Sequence, residues 1–599
     1  MAQKLKNRDE LPPGLTWDLT PLYPSDEAWE QAFRDFSGRE EKLMALKGTL
    51  GYSAENLAAA FRRSDEIERE VSKLYVYAHL RSDEDTANTR YMGMQDRVRS
   101  RMVEVGAALA WIEPEIMVID EATIDRFRNE DVMAPYGWAL TLVLRKKPHT
   151  LSEDEERLLS MAADPLGTPV KTFGLLNNAD LRFPEIRDGE GRMVELTHGN
   201  YIRFMENRDR TVRQNAFLAL YDTYGRVKNT LAALLDGNVK KHVFHARVRR
   251  HGSALQAALF GDNVDPRVYD NLIATVHEYL PDFYRYVELR RRMLGLDKPD
   301  MYDMYVPIVS EVDFDVEYEE ACRWVSEALR PLGEEYAAIV RRAFTERWID
   351  VLESRGKRSG AYSSGCYDSN PYILLNYQGT LDHVFTLAHE MGHSLHSYLS
   401  DQAQPHIYAQ YSIFVAEVAS TTNEALLHHY LMEKFTDPRR KAYLFNHLCD
   451  GFKGTVFRQT MFAEFEKLIH EKVEHGIPLT PDELSDAYYD LNSRYYGPAV
   501  EAHRHIALEW SRIPHFYYNF YVYKYATGFA AAQALAAGIL AGPPENVDRY
   551  MTFLRAGGSR FPLDILAEAG VDLRDPRPVR AALEIFRQTV AELETALTV

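Results

Sequence analysis

Cysteine is scarce. The chain has three in 599 residues, Cys322, Cys366 and Cys449. An odd, widely spaced set builds no disulfide framework and predicts free thiols in a reducing compartment. Long apolar runs are missing too. The least polar stretch, Phe529 to Ala541, contains Gln533 and falls short of the ~18 apolar residues that a membrane span needs, so it reads as a buried helix. The first ten residues carry no apolar run after their positive charges and do not form a signal peptide. A cytoplasmic protein with no membrane partner is expected. Basic charge is in deficit, with Lys+Arg 70 against Asp+Glu 89 and a net charge of -19. This argues against a nucleic-acid partner, which would need a basic face. One local exception is Lys240, Lys241, Arg247, Arg249 and Arg250. No internal repeat or low-complexity tract is found.

What remains is 46% hydrophobic and rich in helical periodicity. Residues 1–25 are irregular, with Pro12, Pro13, Pro21 and Pro24, and Trp17 and Leu19 are expected to pin this arm to the body. From Asp26 to about Glu113, apolar stripes such as Leu57, Phe61, Ile67, Val71 and Leu74 predict stacked long helices. A β-hairpin is predicted between Leu181 and Leu196, around Asp188-Gly189-Glu190-Gly191. Helices dominate from Asn200 onward, and a last amphipathic one runs from Pro578 to Leu597. The fold class is mainly α with small β elements. The expected division is a helical region at 1–115, a hairpin-bearing domain at 116–199 and a catalytic domain at 200–599.

Chemistry concentrates in His389-Glu390-Met391-Gly392-His393. Thr380 is a plausible N-cap, and Leu381, Val384, Phe385, Ala388, Leu395 and Leu399 follow at helical spacing, so the motif falls in mid-helix. Residues four apart share a helix face. His389 and His393 can therefore address one zinc ion, with Glu390 placed as general base on a water. A third ligand is required. His396 lies about 10.5 Å from His389 along an unbroken helix, too far for one ion to take both. Glu417 is the better candidate, a carboxylate among the apolar and small residues of Phe414 to Glu424, a stretch that reads as a second helix. Glu424, seven residues on, is placed to orient a ligand imidazole, or else lies on a solvated face. The Gly/Ser-rich segment Gly356–Gly365 reads as a loop leading to a strand at Tyr372–Leu375, whose edge can pair with an extended peptide. Cys366, with His389 or His383 as base, offers a cysteine-nucleophile alternative.

These residues carry a family resemblance. His389 to His396, with Phe414-Val415-Ala416-Glu417, Trp17-Asp18-Leu19, Asn370 to Tyr377 and Ile513-Pro514-His515-Phe516-Tyr517-Tyr518, resembles the thimet oligopeptidase clan and most of all its oligoendopeptidase F branch. The resemblance covers nearly the whole chain. It implies a helical, zincin-like metalloendopeptidase with one zinc ion, acting on short peptides inside a deep channel. It also implies that His515 and one tyrosine stabilise the transition state. Tyr521 fits best by spacing, with Tyr518 and Tyr525 as alternates. Two other readings stay open: a peptidyl-dipeptidase or carboxypeptidase on the same scaffold, and a peptide-binding or metal-storing protein without turnover. The oligomeric state is not legible.

Overall fold

The computed structural model describes residues 5–309 and 314–598. Among these the chain is mainly α-helical, with one two-stranded and one three-stranded sheet. Seven helices matter below: α1 (Ala54–Glu84), α2 (Thr89–Leu109), α3 (Lys228–Val248), α4 (Leu381–Ala403), α5 (Ile413–Lys434), α6 (Arg458–Glu474) and α7 (Tyr523–Ala541). The strands are β1 (Glu185–Arg187), β2 (Met193–Glu195), β3 (Ile349–Asp350), β4 (Tyr362–Ser364) and β5 (Tyr372–Leu374). The chain forms two units, each from non-contiguous segments. The first comprises residues 1–148, 314–431 and 535–570, and the second 149–313, 432–534 and 571–599. No described helix is long and apolar enough to cross a membrane.

In the first unit, α1 and α2 are the expected long helices, capped by the side chains of Ser53 and Asn88. The Pro-rich arm is pinned as expected. Trp17 is 3% exposed, meets Tyr372 edge-on with ring centroids 6.3 Å apart, and donates its indole N–H to Glu84 at 2.8 Å. Glu84 also receives Arg8 at 3.0 Å, and Arg8 reaches Asp350 of β3 at 2.6 Å. Asp350 is fully buried and is further paired with Lys357 at 2.8 Å. A buried carboxylate survives only with such partners, because an uncompensated one costs several kcal/mol.

The three-stranded sheet has the order β3-β5-β4, with β3 parallel and β4 antiparallel to β5. This corrects one expectation. The strand at Tyr372 is no edge: β5 is central, all three of its side chains are 0% exposed, and both of its neighbours are bonded. A continuous apolar run is what a strand buried on both faces requires. The outer strands are β3 and β4, and β4 lies inside the segment read as a loop. Tyr362-Ser363-Ser364 shows no apolar alternation, because β4 is half-buried throughout, so periodicity did not reveal it.

Helix α4 starts where expected, with Thr380 accepting from the His383 N–H at 3.3 Å. It lies against α5 at very close range. A Cβ on Gly392 would sit 2.5 Å from Ser420 Cα and 2.9 Å from the Ala419 carbonyl oxygen, both backbone atoms of α5. Asn423 adds a side-chain bond to the Ala388 carbonyl at 3.1 Å.

The second unit contains the expected hairpin, with Glu185 opposite Glu195 and Arg187 opposite Met193. Two of the five residues of its basic patch, on and just after α3, are paired with carboxylates, and a third donates to a backbone carbonyl. Lys240 pairs with Asp236 at 2.6 Å, Arg249 with Glu156 at 2.8 Å, and Arg247 donates to the Glu474 carbonyl at 2.8 Å. Deeper in, Glu509 is 1% exposed and holds Arg458 at 2.8 Å and Arg512 at 2.7 Å. Burial pushes its carboxyl up, but the two guanidinium groups and the Tyr488 hydroxyl outweigh that and hold it down to about 2.

Two outcomes follow from this packing. Gly392→Ala forces α4 and α5 apart and is expected to cost ~1–3 kcal/mol, as overpacking does; an unchanged thermal melt would show that the helices part freely. Glu509 has a depressed folded-state pKa, so its stabilisation is complete above the unfolded value of about 4.3 and is lost as pH falls toward about 2. Glu509→Gln is therefore expected to be less stable than wild type by ~3–5 kcal/mol at pH 7. In denaturant titrations the gap should narrow below pH ~4; a gap independent of pH would show that the carboxylate charge contributes nothing.

Candidate metal centre

One turn of α4 separates His389 from His393, and both rings point toward α5. His389 Nε2 lies 3.5 Å from Glu417 Oε2, and His393 Nε2 lies 3.8 Å from the same oxygen. One ligand atom from each of the three residues falls within 4.8 Å of the others. The second helix thus brings Glu417 to the imidazoles, and the Gly392 contact sets how near it comes. Glu424, seven residues along α5, bonds His389 Nδ1. This contact places a proton on Nδ1, so Nε2 is the nitrogen that can face a cation once its own proton is lost.

His396, the candidate set aside on helix geometry, lies elsewhere. It is 1% exposed and stacks on Tyr411, with centroids 3.6 Å apart and planes 8° apart, and it packs on Phe553 at 5.2 Å. Burial and His393 push its pKa down to about 3, so it is a neutral packing residue. Cys366 is buried, and burial raises its thiol pKa. A reactive cysteine needs the opposite shift.

Glu390 sits beside the cluster, 7% exposed, with Oε2 buried and without a hydrogen-bond partner. Burial pushes its carboxyl up to about 7, against the pull of His389. Burial pulls His389 down, but Glu424, Glu390 and Glu417 outweigh it and bring it up to about 9. His393, lacking such a carboxylate bond, is driven down to about 3 by burial and by His389. Three carboxyl groups thus face two imidazoles, and the excess of negative groups, with the orphaned Glu390 oxygen, suits a bound cation. The cluster opens into a cavity of about 530 Å³ that β4 and Tyr411 also line. Ser363 of β4 and Ser394 of α4 share a hydrogen bond of 2.8 Å, which ties the outer strand to the helix. Sequence reasoning missed Gly392, Ser363 and Tyr411. Only the small residue in the motif gave a signal, as a mark of close helix approach.

In the second unit, His515 lies in a tyrosine cluster. Its ring is parallel to that of Tyr521 (6.1 Å, 5°) and edge-on to Tyr518 (5.7 Å) and Tyr525 (5.9 Å). All three candidate tyrosines therefore gather on one histidine. Tyr517 and Tyr523 are buried, 6% and 0% exposed. The turn that makes the cluster is unusual. Asn519 and Phe520 both take left-handed backbone angles, φ 51° and 58°. Asn tolerates this region, whereas a bulky residue there is strained by ~1–3 kcal/mol.

The chain matches the model of peptidase family M3 over residues 203–585 and that of oligopeptidase F over 115–183. It is 47% identical to the oligopeptidase PepF of Bacillus subtilis over 597 residues, covering 100% of this chain and 89% of that protein. It is 43% identical to the group B oligopeptidase PepB of Streptococcus agalactiae, covering 98% of each. Among solved structures, oligoendopeptidase-F from Enterococcus faecium aligns at 40% identity with a TM-score of 0.75, covering 96% of this chain and 99% of that one. A candidate peptidase from Chlamydophila abortus aligns at 37% identity with a TM-score of 0.93, covering 99% of this chain and 100% of that one. By family model and by whole-length identity, the chain belongs to peptidase family M3, in its oligoendopeptidase F branch.

Proposed function

We propose that this peptidase uses one zinc ion, held by His389, His393 and Glu417, to hydrolyse internal bonds of short peptides. The observation that carries the metal assignment is the convergence of three ligand atoms within 4.8 Å beside a buried glutamate. Endopeptidase action on short peptides follows from membership of the branch. Bound zinc supplies Lewis-acid polarisation of a water and of the scissile carbonyl. Glu390 takes the water's proton and passes it to the leaving nitrogen, a task suited to a carboxyl raised to about 7. Glu424 keeps His389 in the ligating tautomer. His515 and Tyr521 are assigned to donate hydrogen bonds to the developing oxyanion, with Tyr518 and Tyr525 as alternates. Catalysis is assigned to residues 200–599, preceded by a helical region at 1–115 and a hairpin-bearing domain at 116–199. The substrate enters as an extended chain along a deep channel and adds to β4, whose far edge is unpaired in the sheet and lines the metal cavity.

Two experiments test this reading. Glu390→Gln should retain stoichiometric zinc and lose nearly all turnover, while Glu417→Ala should lower zinc content far more than His396→Ala. Normal turnover of Glu390→Gln, or zinc content that follows His396, would remove those assignments. A peptide blocked by an N-acetyl and a C-amide group should be cut at an internal bond, with both products visible by mass spectrometry. If only free-ended peptides are trimmed, the enzyme acts from an end.

A further inference from the structure

Glu466 of α6 is a glutamate with no place in the chemistry above, yet it is 0% exposed. Its one hydrogen bond is from the backbone N–H of Phe520, to Oε1 at 2.6 Å, and its Oε2 is buried with no partner. Phe520 is the second of the two left-handed residues, and Tyr521 follows it directly. The Phe520 ring is locked as well, 2% exposed, against His470 at 4.4 Å and Tyr269 at 5.8 Å. His470 is braced in turn by His242 at 3.1 Å and by the Glu466 carbonyl at 2.8 Å. The chain leaves the short helix at Pro514–Tyr517, reverses through Asn519 and Phe520, and enters α7 at Tyr523. That reversal lays Tyr521 parallel to His515 and brings Tyr525 alongside.

We propose that Glu466 is a positioning residue for the reaction: by accepting the Phe520 N–H it holds the left-handed turn that presents His515 and Tyr521 together. The inference rests on the reading of these two as oxyanion donors. The physical need is plain. A buried N–H without an acceptor is costly, and so is a bulky residue at positive φ. Without Glu466 both penalties fall on the same peptide, and the turn can shed them by relaxing. Burial pushes the Glu466 carboxyl up to about 8, against the pull of the Phe520 N–H, so the group is a neutral acid near pH 7. Glutamine is then close to an isostere, with the same carbonyl acceptor.

The test compares Glu466→Leu, Glu466→Gln, Tyr521→Phe, His515→Ala and the double variant Glu466→Leu/Tyr521→Phe on one blocked peptide, as holoenzymes with zinc content measured. Misplacement of a reacting group by about 1 Å can cost ~10²-fold. Glu466→Leu is expected to lower kcat by about tenfold or more, with KM and zinc little changed, and Glu466→Gln to stay within about threefold of wild type. The double variant should be scarcely slower than the worse single one, because the two changes disable one device. If Glu466→Leu does not fold, Glu466→Asp replaces it: the carboxyl stays but is drawn back by one methylene, and the same kcat loss is expected. The proposal falls if kcat is normal in the Leu or Asp variant while Tyr521→Phe or His515→Ala is impaired, or if the double variant's losses multiply, or if Gln is as slow as Leu. Full activity of both Tyr521→Phe and His515→Ala removes the donor reading itself, and does so without any Glu466 variant.

Discussion

The cluster of His389, His393 and Glu417 depends on how closely two helices can approach. On one helix, His389 and His393 offer two atoms that could bind a metal ion, and a third must come from outside. It comes from α5, whose backbone passes Gly392 at a distance that a methyl group would violate. The glycine lies inside the motif, between the two histidines, on the side that α5 covers. A helix interior tolerates glycine at a cost of ~1 kcal/mol relative to alanine. Here the missing side chain lets Glu417 reach both Nε2 atoms and Glu424 reach Nδ1. Another face of α4 is tied to the sheet through Ser394 and Ser363.

Both units keep charge in their interiors, with a common logic. Asp350 with Arg8 and Lys357, and Glu509 with Arg458 and Arg512, are buried carboxylates each shared by two cations. Each network joins segments far apart in sequence, such as the N-terminal arm to β3. A buried ion pair adds little net stability over an apolar pair of the same shape, but a wrong arrangement leaves a charge unmatched. Glu390 and Glu466 break this pattern. Each is buried without a cation bonded to it, each has one oxygen lacking a partner, and each is pushed up by burial.

Much of the site was legible in the sequence because its signals are local. Four-residue spacing, the Thr380 cap and the apolar stripe placed both histidines in mid-helix, and the cost of a carboxylate among small apolar residues singled out Glu417. Helix geometry alone set His396 aside, and its ring indeed packs on Tyr411. The sheet was less legible. Tyr372-Ile373-Leu374 announced a strand, but an apolar run does not say whether a strand is central or outer, and the half-buried β4 carries no period at all. The tyrosines could not be told apart by spacing because Tyr518, Tyr521 and Tyr525 all do gather on His515, through a turn whose left-handed angles no glycine announces. Glu466 was invisible for a related reason: its partner is a backbone N–H 54 residues away.

The way the chain divides has a consequence for its synthesis. Each unit is stitched from three segments, and the first is complete only when residue 570 has been made, the second only at the C-terminus. A ribosome adding roughly 5–20 residues per second needs about 30–120 s for the whole chain. Between the making of residue 434 and that of residue 535, α4 and α5 exist without the 535–570 segment that supplies Phe553 beside His396. The nascent chain thus carries its histidines and glutamates ahead of part of the packing that shapes their surroundings. Neither unit can be completed until the last fifth of the chain is being made. A chain that stops before residue 535 therefore lacks a segment of each unit.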